Sequence, residues 1–267
     1  MSGDSGESGR FGSTADHYLA GRPAYADLLI RRVAALAGLG RGHDVLDLGC
    51  GPGQLARAFA PLARTVVAMD PEPEMLRVAT EASAGIGTIR FVHGGSADLA
   101  PGLGRFHLVV MGRSFHWMDR AATLRALDGL IEPGGAVALF HTEHAELLEN
   151  AWVARYNEVR RRYAEDDSRQ PHRHAGWVRH EAFLLDSPFR CVEACAVLER
   201  RAVALDRLVD RALSMSSSSR ERLGAKTAAL EHDIALLSRE IAPEGQLTEV
   251  IRSSALLARR PHEEGLP

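Results

Sequence analysis

Residues Val45-Leu-Asp-Leu-Gly-Cys-Gly-Pro-Gly53 run an apolar strand straight into three glycines at every second position, and a helical segment opens at Gln54. Glycine admits positive φ and lets backbone amides approach a ligand closely, while a new helix presents its first N–H groups. The stretch therefore reads as strand, tight turn and helix, a cradle for a small molecule. A dinucleotide fingerprint would need its third glycine where Gln54 stands, and no Gly-Lys-Ser/Thr follows as a phosphate loop requires. What remains is Asp47 at the end of the strand and Asp70 at the end of the next one. Asp70 can accept both hydroxyls of a ribose, and Asp47 can face a cationic amino group directly or through water. A ligand with a ribose, an ammonium and no pyrophosphate fits these two acids.

Outward from this loop, apolar runs at 44–47, 65–70, 89–93, 106–111 and 135–141 alternate with helical segments at 54–63, 72–84 and 119–130. Such alternation predicts an α/β fold with a mostly parallel sheet covered by helices on both faces, its ligands beyond the carboxyl ends of the strands. Upstream, 27–37 is an amphipathic helix closed by Gly38 and Gly40, and 1–14 is a Gly/Ser-rich flexible leader. Residues 15–141 form the cofactor-binding core. Residues 142–190 form a cap or lid, with a helix at 145–163, a polar stretch at 164–170 and a His-rich turn at 171–177. Residues 191–267 complete the sheet with strands at 191–199 and 250–258 and a helical elaboration at 205–243. In its 220–241 helix, Leu223, Thr227, Leu230, Ile234, Leu237 and Ile241 alternate at four and three spacing, read as packing on the chain's own domain before a coiled-coil seam.

Composition narrows the function classes. The chain has 267 residues, 45% hydrophobic and 25% charged, enough for a sizeable core. Its formal net charge of −3 gives no footprint for nucleic acid. No apolar run reaches the roughly 18 residues a membrane span needs, and the first ten residues hold no signal-like segment, so a cytoplasmic protein with no membrane or nucleic-acid partner is expected. Cys50, Cys191 and Cys195 are too few and too scattered for a disulfide framework or a zinc site. His172, His174 and His180 lack a companion Cys or acid at ligand spacing, so no metal is expected.

On the glycine loop, Asp47 and Asp70, the sequence resembles the class I S-adenosylmethionine-dependent methyltransferases. That resemblance implies a three-layer α/β/α Rossmann-like methyltransferase fold with an antiparallel last strand and helical cap insertions. Gly112-Arg-Ser-Phe-His-Trp-Met-Asp119 resembles the HW segment of the trans-aconitate methyltransferase-like branch. Tyr18, Arg22, Pro23 and Tyr25 match an upstream Tyr-x-x-x-Arg-Pro-x-Tyr of the same branch. By resemblance, Gly49, Gly51 and Gly53 line the methionine part of S-adenosylmethionine (product S-adenosylhomocysteine), and Cys50 belongs to the same cofactor set. Asp70 takes the ribose, and Pro71 and Met75 flank the adenine. Ser96 and Ala97 approach the adenine edge through their backbone, since many relatives carry an acid where Ser96 stands. Tyr18 touches the methionine moiety, and Arg22, Asp47 and Arg113 complete the cofactor set.

Methyl transfer from a sulfonium is an in-line displacement with a neutral leaving group, so alignment and exclusion of water matter most, and a base is needed only for an acceptor that must lose a proton. His116 is the first candidate base, set against a purely substrate-shaping role; Tyr18 is grouped with it. Phe11, Phe115, His116, Trp117, His141, Tyr156 and Trp177 are the candidate acceptor contacts, and His144 is read as an exposed helix-start residue. The acceptor is expected to be a small, natural-product-like or organic-acid metabolite, methylated on N or O by a monomer or homo-oligomer. The alternatives are a catalytically inactive cofactor-binding or scaffold protein and, by fold analogy alone, an NAD-dependent oxidoreductase, which Gln54 opposes.

Overall fold

The computed structural model describes residues 17, 19, 21–163 and 176–261. Seven strands make one sheet: β1 (Asp44–Leu48), β2 (Thr65–Asp70), β3 (Ile89–His93), β4 (Phe106–Gly112), β5 (Ile131–His144), β6 (Cys191–Val203) and β7 (Leu247–Arg259). Their order is β3-β2-β1-β4-β5-β7-β6. The first five pair in parallel, and β7 runs antiparallel between β5 and β6. The strand order reverses between β1 and β4, and an open α/β sheet offers its ligand crevice at such a point.

The central strands are apolar on both faces because each face is covered. On one side Val45, Ala68, Val110 and Phe140 pack against Leu29, Ile30 and Val33 of α1 (Asp27–Leu36) and Leu55 and Phe59 of α2 (Gln54–Phe59). On the other, Leu46, Leu48, Met69, Val109 and Leu139 meet Leu124 and Leu127 of α4 (Arg120–Asp128) and Leu184 of α6 (His180–Leu185), while α3 (Pro73–Ala82) follows β2. Each such large side chain taken from water adds roughly 1.5–3 kcal/mol, so this double-sided burial fixes the register of the strands.

A third apolar cluster stands apart from the two sheet faces. It joins Trp152, Tyr156 and Val159 of α5 (Trp152–Tyr163), Leu208 and Leu213 of α7 (Arg207–Leu213), Leu223 of α8 (Arg220–Leu223), and Leu230, Ile234 and Leu237 of α9 (Thr227–Ile241). The apolar stripe of α9 is thus spent inside the chain. The expected single helix over 220–241 is broken at Gly224, where φ is 51° and a short 3-10 turn intervenes. Two other boundaries move. The helix expected from 145 starts at Trp152, because β5 continues to His144 against β7. Asn150 then donates to the carbonyls of Ala145 and Val250 and accepts from the Val250 amide, which holds 145–150 as a turn. The helix expected over 54–63 stops at Phe59, just ahead of Pro61.

His144 is accordingly a strand-end residue, half-buried, with Nε2 3.0 Å from Glu249 Oε2. The expectation of an exposed helix start fails because the β5–β7 ladder outruns the apolar part of β5. No helix among the described residues is long and apolar enough to cross a membrane.

Candidate active site

The glycine loop lies at the crevice between β1 and β4. Gly49 and Cys50 donate their amides to Met69 O at 2.8 and 3.0 Å, which bends the chain over the end of β2. Gly49, Gly51 and Gly53 all have positive φ, 70°, 52° and 75°. Each tolerates no side chain for its own reason. A Cβ on Gly49 would sit 2.6 Å from the Ser114 side chain, whereas a Cβ on Gly51 would project into open space. Gly51 is therefore glycine for conformation, and the space beside it is available to a ligand.

Two acids flank this turn in different states. Asp70 is fully engaged: Oδ2 accepts from the Gly51 amide at 2.7 Å and Oδ1 from the Glu72 amide at 2.9 Å. Burial pushes its pKa up, and those two hydrogen bonds oppose the rise. Asp47 is 1% exposed. Its Oδ2 accepts from the Ala56 amide at 2.8 Å, tying it to the first turn of α2, while its buried Oδ1 accepts no hydrogen bond among the described residues. Burial pushes Asp47 up to about 7, the Ala56 bond pulling down, nearby Asp70 pushing up and Arg57 pulling down. A buried carboxylate oxygen without a donor is costly, and a cation or N–H group placed there relieves the cost.

A narrow cavity opens beside Asp47, lined by Gly49, Cys50, Gly51, Pro52, Gln54 and Leu55 on the loop side and by Tyr25, Gly112 and Arg113 opposite. Arg113 reaches across it: Nη2 donates to Gln54 Oε1 at 2.7 Å and Nη1 to Thr142 Oγ1 at 3.2 Å, with the guanidinium 5.0 Å from the Tyr25 ring centre. The sequence offers Tyr25 only as part of a motif, and its lining role comes from the chain crossing the crevice just before α1.

The other expected cofactor residues divide. Pro71 follows Asp70 and its carbonyl lies 3.1 Å from His93 Nε2; Ser96 and Ala97 form a short 3-10 turn after β3 that Asp98 caps through the Gly95 amide. Met75 is buried against Val78 and Leu19. Arg22 is turned towards the helical cluster, Nη2 3.4 Å from Ser214 O. Phe11, Tyr18, His172 and His174 lie outside the described residues, as does the 1–14 leader.

On the acceptor side, the segment after β4 is held down by Ser114 Oγ donating to Leu48 O at 2.9 Å. Phe115 is buried in the core with its ring 5.2 Å from that of His180. His116 is half-buried, its ring 4.8 Å from Trp117 and 6.5 Å from His180. Arg120 clasps this segment to the one before α6: its guanidinium lies 4.1 Å from the Trp177 ring centre and 3.9 Å from that of Phe183, and Nη1 donates to Val178 O at 2.6 Å. Trp177 and His180 thus come to His116 from a distant part of the chain, a link that sequence spacing does not carry.

Two expected acceptor contacts are not brought here. Tyr156 is 2% exposed within the helical cluster, and its hydroxyl donates to Leu208 O at 2.9 Å. It packs there because its helix turns its apolar face to α7 and α9. His141 is exposed on β5 and is not among the residues that line the narrow cavity.

Residues 45–135, β1 to the start of β5, match the protein family described as a methyltransferase domain. Over these residues the chain is similar to a methyltransferase domain. Across 150 residues the chain is 31% identical to an uncharacterized methyltransferase of Mycobacterium bovis, covering 56% of this chain and 58% of that protein. The chain thus spans under two thirds of the length of the curated relatives it matches. In fold, the methyltransferase domain and the elements after it resemble a solved putative type II methyltransferase from Anaeromyxobacter dehalogenans (TM-score 0.62, 21% identity, covering 90% of this chain and 99% of that one). They also resemble a SAM-dependent methyltransferase from Thiobacillus denitrificans solved with S-adenosylhomocysteine (TM-score 0.50, 17% identity, covering 93% and 98%). The sheet is the Rossmann-like methyltransferase sheet.

Proposed function

We propose that the protein transfers a methyl group from S-adenosylmethionine to an N or O atom of a small-molecule acceptor. One observation carries the reading: the buried, undonated Oδ1 of Asp47 faces the glycine turn, one strand away from the carboxylate of Asp70. The cofactor is an adenosine joined to a cationic amino-acid end, and these residues fit it. Asp47 takes the ammonium, Asp70 the ribose, Gly49 and Gly51 the close backbone approach, Pro71 the adenine, with Ser96 and Ala97 at its edge. When bound, the cofactor supplies an electrophilic methyl on sulfur whose departure leaves a neutral thioether.

The chain's own residues then have to align and exclude water. His116, Trp117, Trp177 and His180 form a half-buried aromatic wall at the carboxyl end of β4, and Arg120 keeps its two halves together. For a hydroxyl acceptor, the His116 imidazole is placed to take the proton; for an amine or carboxylate it shapes the pocket. The helical cluster built from α5, α7 and α9 acts as a cap beside the crevice, and its solvent-facing surface is free to vary with the acceptor.

The test is to titrate S-adenosylhomocysteine into the wild-type protein and Asp70→Ala while assaying transfer of a labelled methyl group to candidate acceptors. Micromolar binding, about −8 kcal/mol, that falls at least tenfold in Asp70→Ala supports the reading. Absence of binding by the wild-type protein removes it, and binding without transfer to any acceptor supports a cofactor-binding scaffold.

A further inference from the structure

Three metal-ligating side chains meet at the amino ends of the central strands, the opposite end of the sheet from the glycine turn. His43 immediately precedes β1, His107 is the second residue of β4 and Glu132 the second of β5, and these strands are neighbours in the sheet. One ligand atom from each lies within 4.8 Å of the other two. No spacing along the chain connects them; the parallel sheet does.

The backbone around them aims two of the three at each other. β5 is irregular where it passes His107: Phe106 pairs with Ile131, but Leu108 pairs with Ala136. A bulge re-aims the side chain it carries. Here Gly134 has φ 77°, and a Cβ on Gly135 would come within 2.7 Å of His107 O. Arg105 and Arg260 donate to Ile131 O and Glu132 O at 3.1 and 3.3 Å, pinning this part of the strand. The His107 side chain, 12% exposed, has Nε2 2.7 Å from Ala37 O just beyond α1. A carbonyl only accepts, so Nε2 carries the proton and the lone pair of the neutral ring lies on Nδ1, the arrangement that orients metal-bound imidazoles. Nδ1 faces Glu132 Oε2 at 3.6 Å. That is too long for a hydrogen bond. It is close to the separation of about 3.3–3.4 Å between two ligands of a tetrahedral zinc ion with bonds of about 2.0–2.1 Å. The nearby Arg64 guanidinium is taken up by Asp44, with Nε 2.9 Å from Oδ1.

His43 supplies the third ligand after a small movement. Its ring is stacked on that of His107, 3.9 Å between centres at 9°, and its Nδ1 accepts from the Gly40 amide at 3.1 Å. Two stacked parallel rings do not point their lone pairs at one ion. The His43 ring therefore tilts out of the stack and exchanges the Gly40 amide, a neutral hydrogen bond, for a metal bond. A Cβ on the adjoining Gly42 would meet nothing within 4 Å, so this turn has open space beside it.

We propose that His43, His107 and Glu132 bind a divalent transition-metal ion of the zinc class. Two imidazoles and a carboxylate are a donor set that zinc accepts, its fourth position left to water. Such an ion would tie the end of α1 to β1, β4 and β5, and would stabilise the fold without entering the methyl-transfer crevice.

The test titrates untagged, chelator-treated protein with Zn²⁺ alone by calorimetry, and with Co²⁺ followed by its visible absorption. The wild-type protein is expected to bind one equivalent with micromolar or tighter affinity, with a raised melting temperature and the intense visible bands of four-coordinate Co²⁺. His43→Gln and Glu132→Gln should each weaken Zn²⁺ at least tenfold while keeping the wild-type far-ultraviolet circular dichroism. Both replaced side chains are only half-buried, so if one variant fails that fold check the other decides. A wild-type protein that does not bind Zn²⁺ in the micromolar range would overturn the proposal. So would variants that bind as tightly as wild type, which places the ion on other residues, or the weak bands of six-coordinate Co²⁺.

Discussion

Asp47 and Glu249 are both buried carboxylates, and their surroundings treat them in opposite ways. Glu249, 3% exposed on β7, is gripped by Arg211, whose Nη1 and Nη2 reach its two oxygens at 2.7 and 3.2 Å, and by His144. Burial alone would raise its pKa, yet the bonds from His144 and Arg211 hold it down at about 2. Asp47 has one backbone donor and no guanidinium in contact among the bonds of its carboxylate, and it rises to about 7. The first arrangement is complete and ties β5, β7 and α7 together, with Arg211 Nε also donating to Gly21 O. The second is incomplete, and in the proposed reading a cationic ligand completes it. A buried acid with its counter-charge inside the chain is architecture; one without it marks a site.

The sharpest way to break this contrast is to remove each acid. Glu249→Ala leaves Arg211 buried without its partner and should destabilise the fold by about 3–5 kcal/mol, measured by urea unfolding. Asp47→Asn keeps an oxygen for the Ala56 amide and removes the uncompensated charge. It should stabilise the ligand-free protein at pH 8, by on the order of 2–4 kcal/mol, while S-adenosylhomocysteine binding is lost. A destabilised Asp47→Asn would remove the contrast.

The two acids also titrate in opposite senses. Because the folded state holds the Asp47 proton up to about pH 7 against 3.8 for the free side chain, it binds more protons than the unfolded chain in that window, and stability falls as pH rises through it. Glu249, lowered from 4.5 to about 2, contributes stability that is present above pH 4.5 and lost as pH falls towards 2. The stability advantage of Asp47→Asn should therefore grow from near zero at pH 4 to its full size above pH 7. A pH series of unfolding curves checks this, and a constant difference between the two proteins would contradict it.

Tyr156 gives the smallest effect. Its hydroxyl bond to Leu208 O makes Tyr156→Phe a loss of about 0.5–1.5 kcal/mol, with cofactor affinity unchanged. A change in affinity without a change in stability would return Tyr156 to the site.

How far the sequence reveals these regions follows the same division. The five parallel strands, the glycine turn and the acids at two strand ends are local patterns, each set by a few neighbouring residues, and all are found where the sequence places them. The helical cluster is set by long-range packing, so α5 starts seven residues later than its periodicity indicates, and Tyr156 turns inward to α7. The strands β5, β6 and β7 extend beyond their apolar stretches because ladder hydrogen bonds continue where side chains are polar. Within the candidate site, the placement of Asp47 and Asp70 at the ends of neighbouring strands is legible from position alone. The Arg113–Gln54 bridge and the Arg120 clasp on Trp177 join residues 59 and 57 positions apart in the chain, and no spacing rule connects them.

The most direct measurement is the proton count on S-adenosylhomocysteine binding, taken by calorimetry at pH 6.5 in two buffers of different ionisation enthalpy. An ammonium arriving at Asp47 favours its carboxylate form, so binding to the wild-type protein should release protons and tighten as pH rises from 6 to 8. A wild-type protein that binds with no proton release and no dependence on pH over that range would contradict the account of Asp47 as the charge the cofactor completes.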